Sequence, residues 1–235
     1  MQVQQKVFRN TAKHPWTYED LNQYQRALSE AIRQKTKSPQ LIFSEVAPVI
    51  TVGRRGGCQS ERDDFTLPID QIQSQGVSVL ETGRGGLATY HGPGQWVVFF
   101  IVSLRQLFND SRALKPFVTL LLETGLGVAK RYDSTAEIRE KTQAGVWGEQ
   151  GKIVSIGLSV DRGVVQHGIA MNGYRTETSF YGIKPCGLDA KPQFLLESLP
   201  AGLSEIEKAN AFNRLREEIF EEFQRKFKKL SVEFI

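Results

Sequence analysis

Hydrophobic and polar positions change period several times along the chain, and each change predicts an element. From Thr17 to Arg33, Leu21, Tyr24, Leu28, Ala31 and Ile32 recur at helical spacing, with Thr17-x-x-Asp20 as an N-cap arrangement. Leu41–Val46 and Val49–Val52 are short β-rich runs separated by Pro48. Val77–Leu80 and Trp96–Val102 also read as strands, and the second is apolar at every position, as a strand buried on both faces would be. Arg112 to Tyr132 has helical periodicity, although Gly125 and Gly127 weaken its middle. Lys152–Val160 and Val164–Met171 are consecutive strands turning at Asp161-Arg162-Gly163. Ser204 to Leu230 is the clearest helix: Phe212, Leu215, Ile219, Phe223, Phe227 and Leu230 form one stripe, and Ser204-x-x-Glu207 fits a capping box. A terminal helix packed on its own sheet explains that stripe better than a partner-binding helix. Glu197–Leu203 reads as a loop. With no repeat, low-complexity linker or composition break, the pattern predicts one α/β domain over residues 1–235.

Composition narrows the class without deciding it. The 235 residues are 40% hydrophobic and 24% charged, too apolar for disorder. The longest apolar run, Trp96 to Val102, is far short of the ~20 residues a membrane span needs, and MQVQQKVFRN lacks the apolar region of a secretory signal. Two cysteines make no disulfide framework, so a reduced, cytoplasmic compartment is expected. The net charge of +4 is too mild for a nucleic-acid partner but suits an acidic protein.

Glycine changes the picture. Nine of the 21 glycines fall between Gly53 and Gly94, where an even spread would place about four. The heart of the cluster is Gly83-Arg84-Gly85-Gly86-Leu87-Ala88-Thr89-Tyr90-His91-Gly92-Pro93-Gly94-Gln95. Gly83-x-Gly85-x-x-Ala88 matches a relaxed dinucleotide fingerprint, but Thr-Tyr-His-Gly-Pro-Gly cannot continue the helix that fingerprint requires. No Walker-type Lys-Ser/Thr follows either. The segment can instead lay bare backbone along a narrow slot suited to a long acyl chain or a linear prosthetic group, with Tyr90 and His91 beside it and Gly92-Pro93-Gly94 as a rigid turn, or it is a tight pair of β-turns with no ligand. Gly53 and Gly56-Gly57 read as turns flanking the early strand.

Candidate chemistry lies downstream. Lys152 opens an apolar strand, His167 sits in Gln166-His167-Gly168-Ile169-Ala170-Met171-Asn172, and Cys186 lies between Pro185 and Gly187. A free cysteine is commonly a small core residue, and Cys58 reads as that or as a surface thiol; the loop setting of Cys186 points to an exposed thiol, with a nucleophile as one of its readings but not the leading one from the residues alone. A free thiol with pKa about 8.5 is only a few per cent thiolate at neutral pH. Moving it by two units takes about 2.7 kcal/mol, which a nearby lysine ammonium can supply. His91 or His167 could serve as the base instead. His14 has no distinguishing context, and no two Cys or His residues have zinc-ligand spacing.

Four motifs in order, Arg84-Gly85-Gly86-x-x-Thr89-Tyr90-His91-Gly92-Pro93-Gly94-Gln95, Lys152-Ile153-x-Ser155-Ile156-Gly157, His167-Gly168-x-Ala170-x-Asn172 and Pro185-Cys186-Gly187, resemble the lipoyl(octanoyl) transferase family. The resemblance runs from about Val46 to Leu199. It implies a biotin/lipoate protein ligase-like α/β fold, class II synthetase-like, with a mixed β-sheet flanked by helices. It implies an acyltransferase that moves an octanoyl group from octanoyl-acyl carrier protein to a lysine of lipoyl domains. The acceptors implied are those of 2-oxoacid dehydrogenases and the glycine cleavage H protein, with no ATP, metal or other cofactor. By the same resemblance Cys186 is the acyl-thioester nucleophile and Lys152 the residue that lowers its pKa. Arg84, Gly85, Gly86, Leu87, Ala88, Thr89, Tyr90 and His91 would line the tunnel with Ser155, Ile156, Gly157, Gly168, Ile169 and Ala170, with His167 and Asn172 in support. Two positions depart from the family pattern: Glu45-Val46 replaces Glu-His, and Glu197-Ser198-Leu199 replaces a Thr-Ser-Leu-like run. An ATP-dependent ligase on the same fold, or a catalytically silent lipoyl-domain binder, are the competing readings.

Overall fold

The apolar run at Trp96–Val102 becomes the central strand. In the computed structural model, which describes residues 1–54, 64–184, 191–197 and 204–235, it spans Gln95–Ile101 with all seven residues buried. Alternation explains this burial. Trp96, Val98 and Phe100 enter one apolar cluster, whereas Val97, Phe99 and Ile101 enter another on the opposite face.

The chain begins with β1 (Gln2–Phe8), α1 (Tyr18–Arg33), β2 (Gln40–Ser44) and β3 (Val49–Val52). Next come α2 (Ile69–Ser74), β4 (Ser78–Glu81), β5 (Thr89–His91) and the central strand, β6 (Gln95–Ile101). Helices α3 (Leu104–Phe108) and α4 (Leu114–Ala129) lead into β7 (Glu137–Arg139), β8 (Gly145–Trp147), β9 (Lys152–Asp161) and β10 (Val164–Asn172). The chain closes with α5 (Glu205–Phe227) and β11 (Glu233–Phe234).

Eight strands form one mixed sheet in the order β11-β1-β2-β6-β10-β9-β8-β7. Strand β1 runs parallel to both of its neighbours, and the other pairs are antiparallel. The expected α/β class with a mixed sheet and flanking helices is therefore present. A second sheet, β4-β3-β5, was not expected and carries the glycine-rich segment beside the first.

Helix α1 begins where its cap predicts: the Thr17 hydroxyl accepts from the Asp20 N–H, and the Asp20 carboxylate accepts from the Thr17 N–H. It covers one face of the large sheet through Tyr18, Leu21, Leu28 and Ile32. Helices α4 and α5 cover the other face. The stripe of α5 is fully buried at Phe212, Leu215, Ile219, Phe223 and Phe227, so the terminal helix packs on its own sheet as read. Ser204 caps it through the expected box with Glu207.

The helix expected over Arg112–Tyr132 is shorter, Leu114–Ala129, and α3 precedes it, ending at Asn109 with φ +56°. Gly125 and Gly127 do not interrupt α4. A Cβ at Gly125 would stand 3.2–3.5 Å from the side chains of Val154 and Val146, and one at Gly127 would overlap the Glu222 carboxylate. Both glycines let the helix approach its neighbours. Strands β5, β7 and β8, three residues each, are too short to show a period.

Phe223 is fully buried and touches the rings of Phe100, Phe227 and Phe234. Phe223→Ala is expected to lower unfolding free energy by about 3–5 kcal/mol in urea titration. A loss below about 1 kcal/mol would contradict this packing account.

Candidate active site

The turn between β5 and β6 is held from several sides. Gly94 takes φ +82°, and its N–H donates to Glu45 Oε1 at 3.1 Å. Its carbonyl accepts from the N–H groups of Gly173 and Tyr174. Glu45 is itself fixed by Arg9 at 2.7 Å. A side chain at Gly94 would strike the Tyr174 carbonyl, so both backbone angle and space require glycine there.

The segment before β5 lies between the two sheets. Gly85 N–H donates to the Leu158 carbonyl on β9 at 2.9 Å, and Arg54 N–H donates to the Arg84 carbonyl at 2.9 Å. Arg84 is buried and pins the junction: Nη2 donates to the Thr51 carbonyl at 2.5 Å, Nε to Thr51 Oγ1 at 3.0 Å, and Nη1 to the Gly85 carbonyl at 3.0 Å. Gly53 is more than the flanking turn expected from the sequence. A Cβ at Gly53 would come 2.5 Å from the Gly86 carbonyl oxygen, so Gly53 is part of the same close packing. Gly56 and Gly57 lie outside the described residues.

Between this segment and the large sheet is a narrow cavity. Leu87, Val97, Phe99, Ile156, Ile169 and Ala170 give it an apolar wall, and Gly86, Gly157 and Gly168 expose backbone. Arg84, Thr89 and Ser155 add polar atoms, and the rings of Tyr18, His91 and His167 complete the lining. Twelve of the tunnel and supporting residues named from the sequence therefore converge on this cavity: Arg84, Gly86, Leu87, Thr89, His91, Ser155, Ile156, Gly157, His167, Gly168, Ile169 and Ala170.

Gly85, Ala88 and Tyr90 do not line it. Gly85 is spent on the main-chain link to β9. Ala88 and Tyr90 point the other way because side chains alternate along β5. Both pack with Phe180 and Ile183 around the small sheet, and Tyr90 Oη pairs with Thr178 Oγ1 at 2.8 Å. The Ala88 N–H donates to Asp64 Oδ2 at 2.9 Å. Tyr18, Val97 and Phe99 were missed as lining residues. The alternation of β6, which sends Val97 and Phe99 to the α1 face, was the available signal.

The two motif histidines are buried and neutral. Burial, reinforced by the Arg84 charge, lowers each from the ordinary 6.5 to about 3. His91 stacks on Tyr18 with centroids 5.1 Å apart, and its Nδ1 meets Gln95 Oε1 at 2.7 Å. His167 takes φ +64° within β10, a strained conformation for a side-chain-bearing residue. Three contacts from α1 hold it: its N–H donates to Gln25 Oε1, and its Nδ1 meets Gln25 Nε2 and the Tyr18 hydroxyl. Because Gln25 Oε1 takes that N–H, its amide nitrogen faces Nδ1, which therefore accepts and leaves the ring proton on Nε2.

Lys152 is buried at the start of β9, with Nζ 5.3 Å from the Trp147 ring centroid, and it does not line the cavity. Its side chain passes over Gly145, where a Cβ would sit 2.5 Å from Lys152 Cε. Cys186 and Cys58 lie outside the described residues. The chain on either side of the Cys186 segment is anchored. Lys184 N–H donates to the Asp64 carbonyl at 2.7 Å, and the Lys191 carbonyl accepts from the Lys152 N–H at 3.0 Å. Thus the chain returns beside Lys152 five residues after Cys186. Among the described residues no group of three His, Cys, Asp or Glu could hold a metal ion. None of the described helices is long and apolar enough to cross a membrane.

Residues 17–228 match the family model for the lipoyl protein ligase A/B catalytic domain. The chain belongs to this family. It is 32% identical over 190 residues to an octanoyltransferase of Geobacter metallireducens, covering 80% of this chain and 82% of that protein. Its fold is that of protein Ta0514 from T. acidophilum with bound lipoic acid, with TM-score 0.65 and 14% identity over 100% of this chain and 88% of that one. A lipoate-protein ligase A structure bound with ATP aligns with TM-score 0.56 and 14% identity, covering 98% of this chain and 94% of that one.

Within this lipoyl protein ligase A/B member, the two departures noted in sequence occupy ordinary structural positions. Val46 is fully buried in the cluster beneath α1, and Glu45 keeps its bond to the turn. Glu197 pairs with Arg175 at 2.8 Å, while Ser198 and Leu199 lie outside the described residues.

The neutral histidines predict a pH dependence. The unfolded chain takes up their protons near 6.5 and the folded chain only near 3, so stability is full above that range and falls as pH drops through it. The expected slope is up to about 1.4 kcal/mol per pH unit for each histidine. Urea titrations between pH 6 and 4 check it: His167→Gln should flatten the slope, and an unchanged slope would contradict neutral burial.

Proposed function

We propose that this acyltransferase carries an octanoyl group from the thioester of acyl carrier protein to the ε-amine of a lysine on a lipoyl domain. Residues 1–235 act as one catalytic domain in this reading. The acceptors are lipoyl domains of 2-oxoacid dehydrogenases and the glycine cleavage H protein. The observation that carries the reading is the cavity itself: a narrow, largely apolar space with glycine backbone in its wall and two histidines held neutral. An unbranched acyl chain suits such a lining, and a nucleotide triphosphate does not. The octanoyltransferase likeness supports the choice of acyl group.

Two transfers complete the reaction. The Cys186 thiolate attacks the carbonyl carbon of the acyl carrier thioester, forming acyl-Cys186 and expelling the carrier thiolate, which takes a proton from the Lys152 ammonium. The acceptor amine then attacks acyl-Cys186. An amide bond forms, the Cys186 thiolate leaves, and the proton shed by the amine returns to neutral Lys152. The donor thioester already supplies the activation that a free acid would need from ATP. Because thiolate and ammonium are coupled, their pH dependence belongs to the pair.

Intact-mass analysis after mixing with octanoyl-acyl carrier protein tests this. The expected product is a covalent adduct, sensitive to hydroxylamine, absent in Cys186→Ser and discharged onto an added lipoyl domain. No adduct in the wild type, with transfer appearing only when octanoate and ATP are supplied, would replace the reading with an ATP-dependent ligase.

A further inference from the structure

Beneath the cavity runs a chain of hydrogen bonds whose directions can be assigned without ambiguity. It starts at two main-chain carbonyls, those of Lys152 and Gln193, which only accept. Asn172 Nδ2 lies 3.1 Å from each and must be the donor to both. Asn172 Oδ1 is then the acceptor for Gln95 Nε2 at 2.9 Å. The two amides meet because Gln95 and Asn172 are directly opposite in the antiparallel register of β6 and β10. Gln95 Nε2 also donates to the Tyr90 carbonyl at 3.3 Å, so Gln95 Oε1 is left facing His91 Nδ1 at 2.7 Å. An oxygen acceptor there requires the His91 proton on Nδ1 and leaves the lone pair on Nε2.

The side chains of the chain are buried: Gln95, Asn172 and His91 are each at most 5% exposed, and Lys152, whose carbonyl anchors it, is 6% exposed. An amide turned the wrong way would leave two buried groups without partners, so the orientation is energetically enforced. The Lys152 carbonyl additionally accepts the Gln193 N–H at 2.9 Å, which ties the segment following Cys186 to the same point. The tautomer of a cavity-lining ring is thereby coupled to the main chain that carries Lys152. His167, held by Gln25 and Tyr18, takes the opposite tautomer, so the two rings offer the cavity one acceptor and one donor.

We infer that Gln95 and Asn172 are positioning residues, holding the Lys152 main chain and the His91 tautomer as one unit for acyl transfer. This rests on the function proposed above for its catalytic consequence, but its structural part can be read separately.

The test uses full-length protein labelled with ¹⁵N-histidine, assayed alongside octanoyl transfer. Long-range ¹⁵N–¹H spectra should show His91 as the Nδ1–H tautomer in the wild type. Gln95→Glu keeps an oxygen opposite Nδ1 but loses both donated bonds. It should retain that tautomer, raise the His91 titration toward neutrality and lower kcat at least about tenfold with KM for the acyl carrier little changed. Gln95→Leu should release the tautomer and lose kcat similarly without the new pH limb. Should Gln95→Leu fail to fold, the isosteric Gln95→Glu carries the comparison. A wild-type Nε2–H tautomer, or wild-type kcat in Gln95→Glu, would overturn the inference. A wild type with the expected tautomer but no acyl transfer would instead count against the proposed function.

Discussion

The structure depends on the approach of the glycine-rich segment to the edge of β9, and a buried guanidinium makes that approach possible. Arg84 donates to Thr51 on the small sheet and to the Gly85 carbonyl, while the Gly85 N–H reaches Leu158 on the large sheet. Side chains at Gly53 or Gly157 would press on this junction, against Gly86 in the first case and Arg84 in the second. Burial keeps His91 and His167 neutral, and the same cation reinforces that state. One side chain thus pins the junction beside the cavity and adds to the neutrality of its histidines.

From that junction the division of labour follows. The large sheet supplies rigidity: β6 is buried on both faces, and β9 and β10 carry facing residues of the cavity wall. The small sheet supplies access, since it brings glycine backbone to the cavity and turns Ala88 and Tyr90 into its own core. Helix α1 is more than a cover, because Tyr18 and Gln25 hold His167 in its strained conformation.

Much of the fold was legible because its long elements have clean periods and caps. Thr17, Ser204 and the Asp161-Arg162-Gly163 turn all lie where their local chemistry places them. The short strands were not legible, because three residues cannot display alternation, and β1 is stabilised by pairing with distant β2 and β11. Most of the residues that line the cavity could be named through the family resemblance. The outward turn of Tyr90 could not, because it depends on which face of β5 meets the large sheet. Gly53 was misread for a related reason: its constraint comes from Gly86, 33 positions away in sequence. Sequence likewise showed Gln95 and Asn172 only as motif members, since their pairing is a property of sheet register.

In the function proposed above the cavity between the two sheets holds the acyl chain, so narrowing it should penalise long chains most. Ala170 lies in its wall, opposite Val97 and Ser155 in the sheet register. The deciding measurement is kcat/KM of Ala170→Leu for octanoyl-, hexanoyl- and butanoyl-acyl carrier protein, relative to wild type. At about 0.8 kcal/mol for each methylene denied burial, the octanoyl value should fall at least about tenfold more than the butanoyl value. An equal fall for all three chain lengths, or none, would contradict the claim.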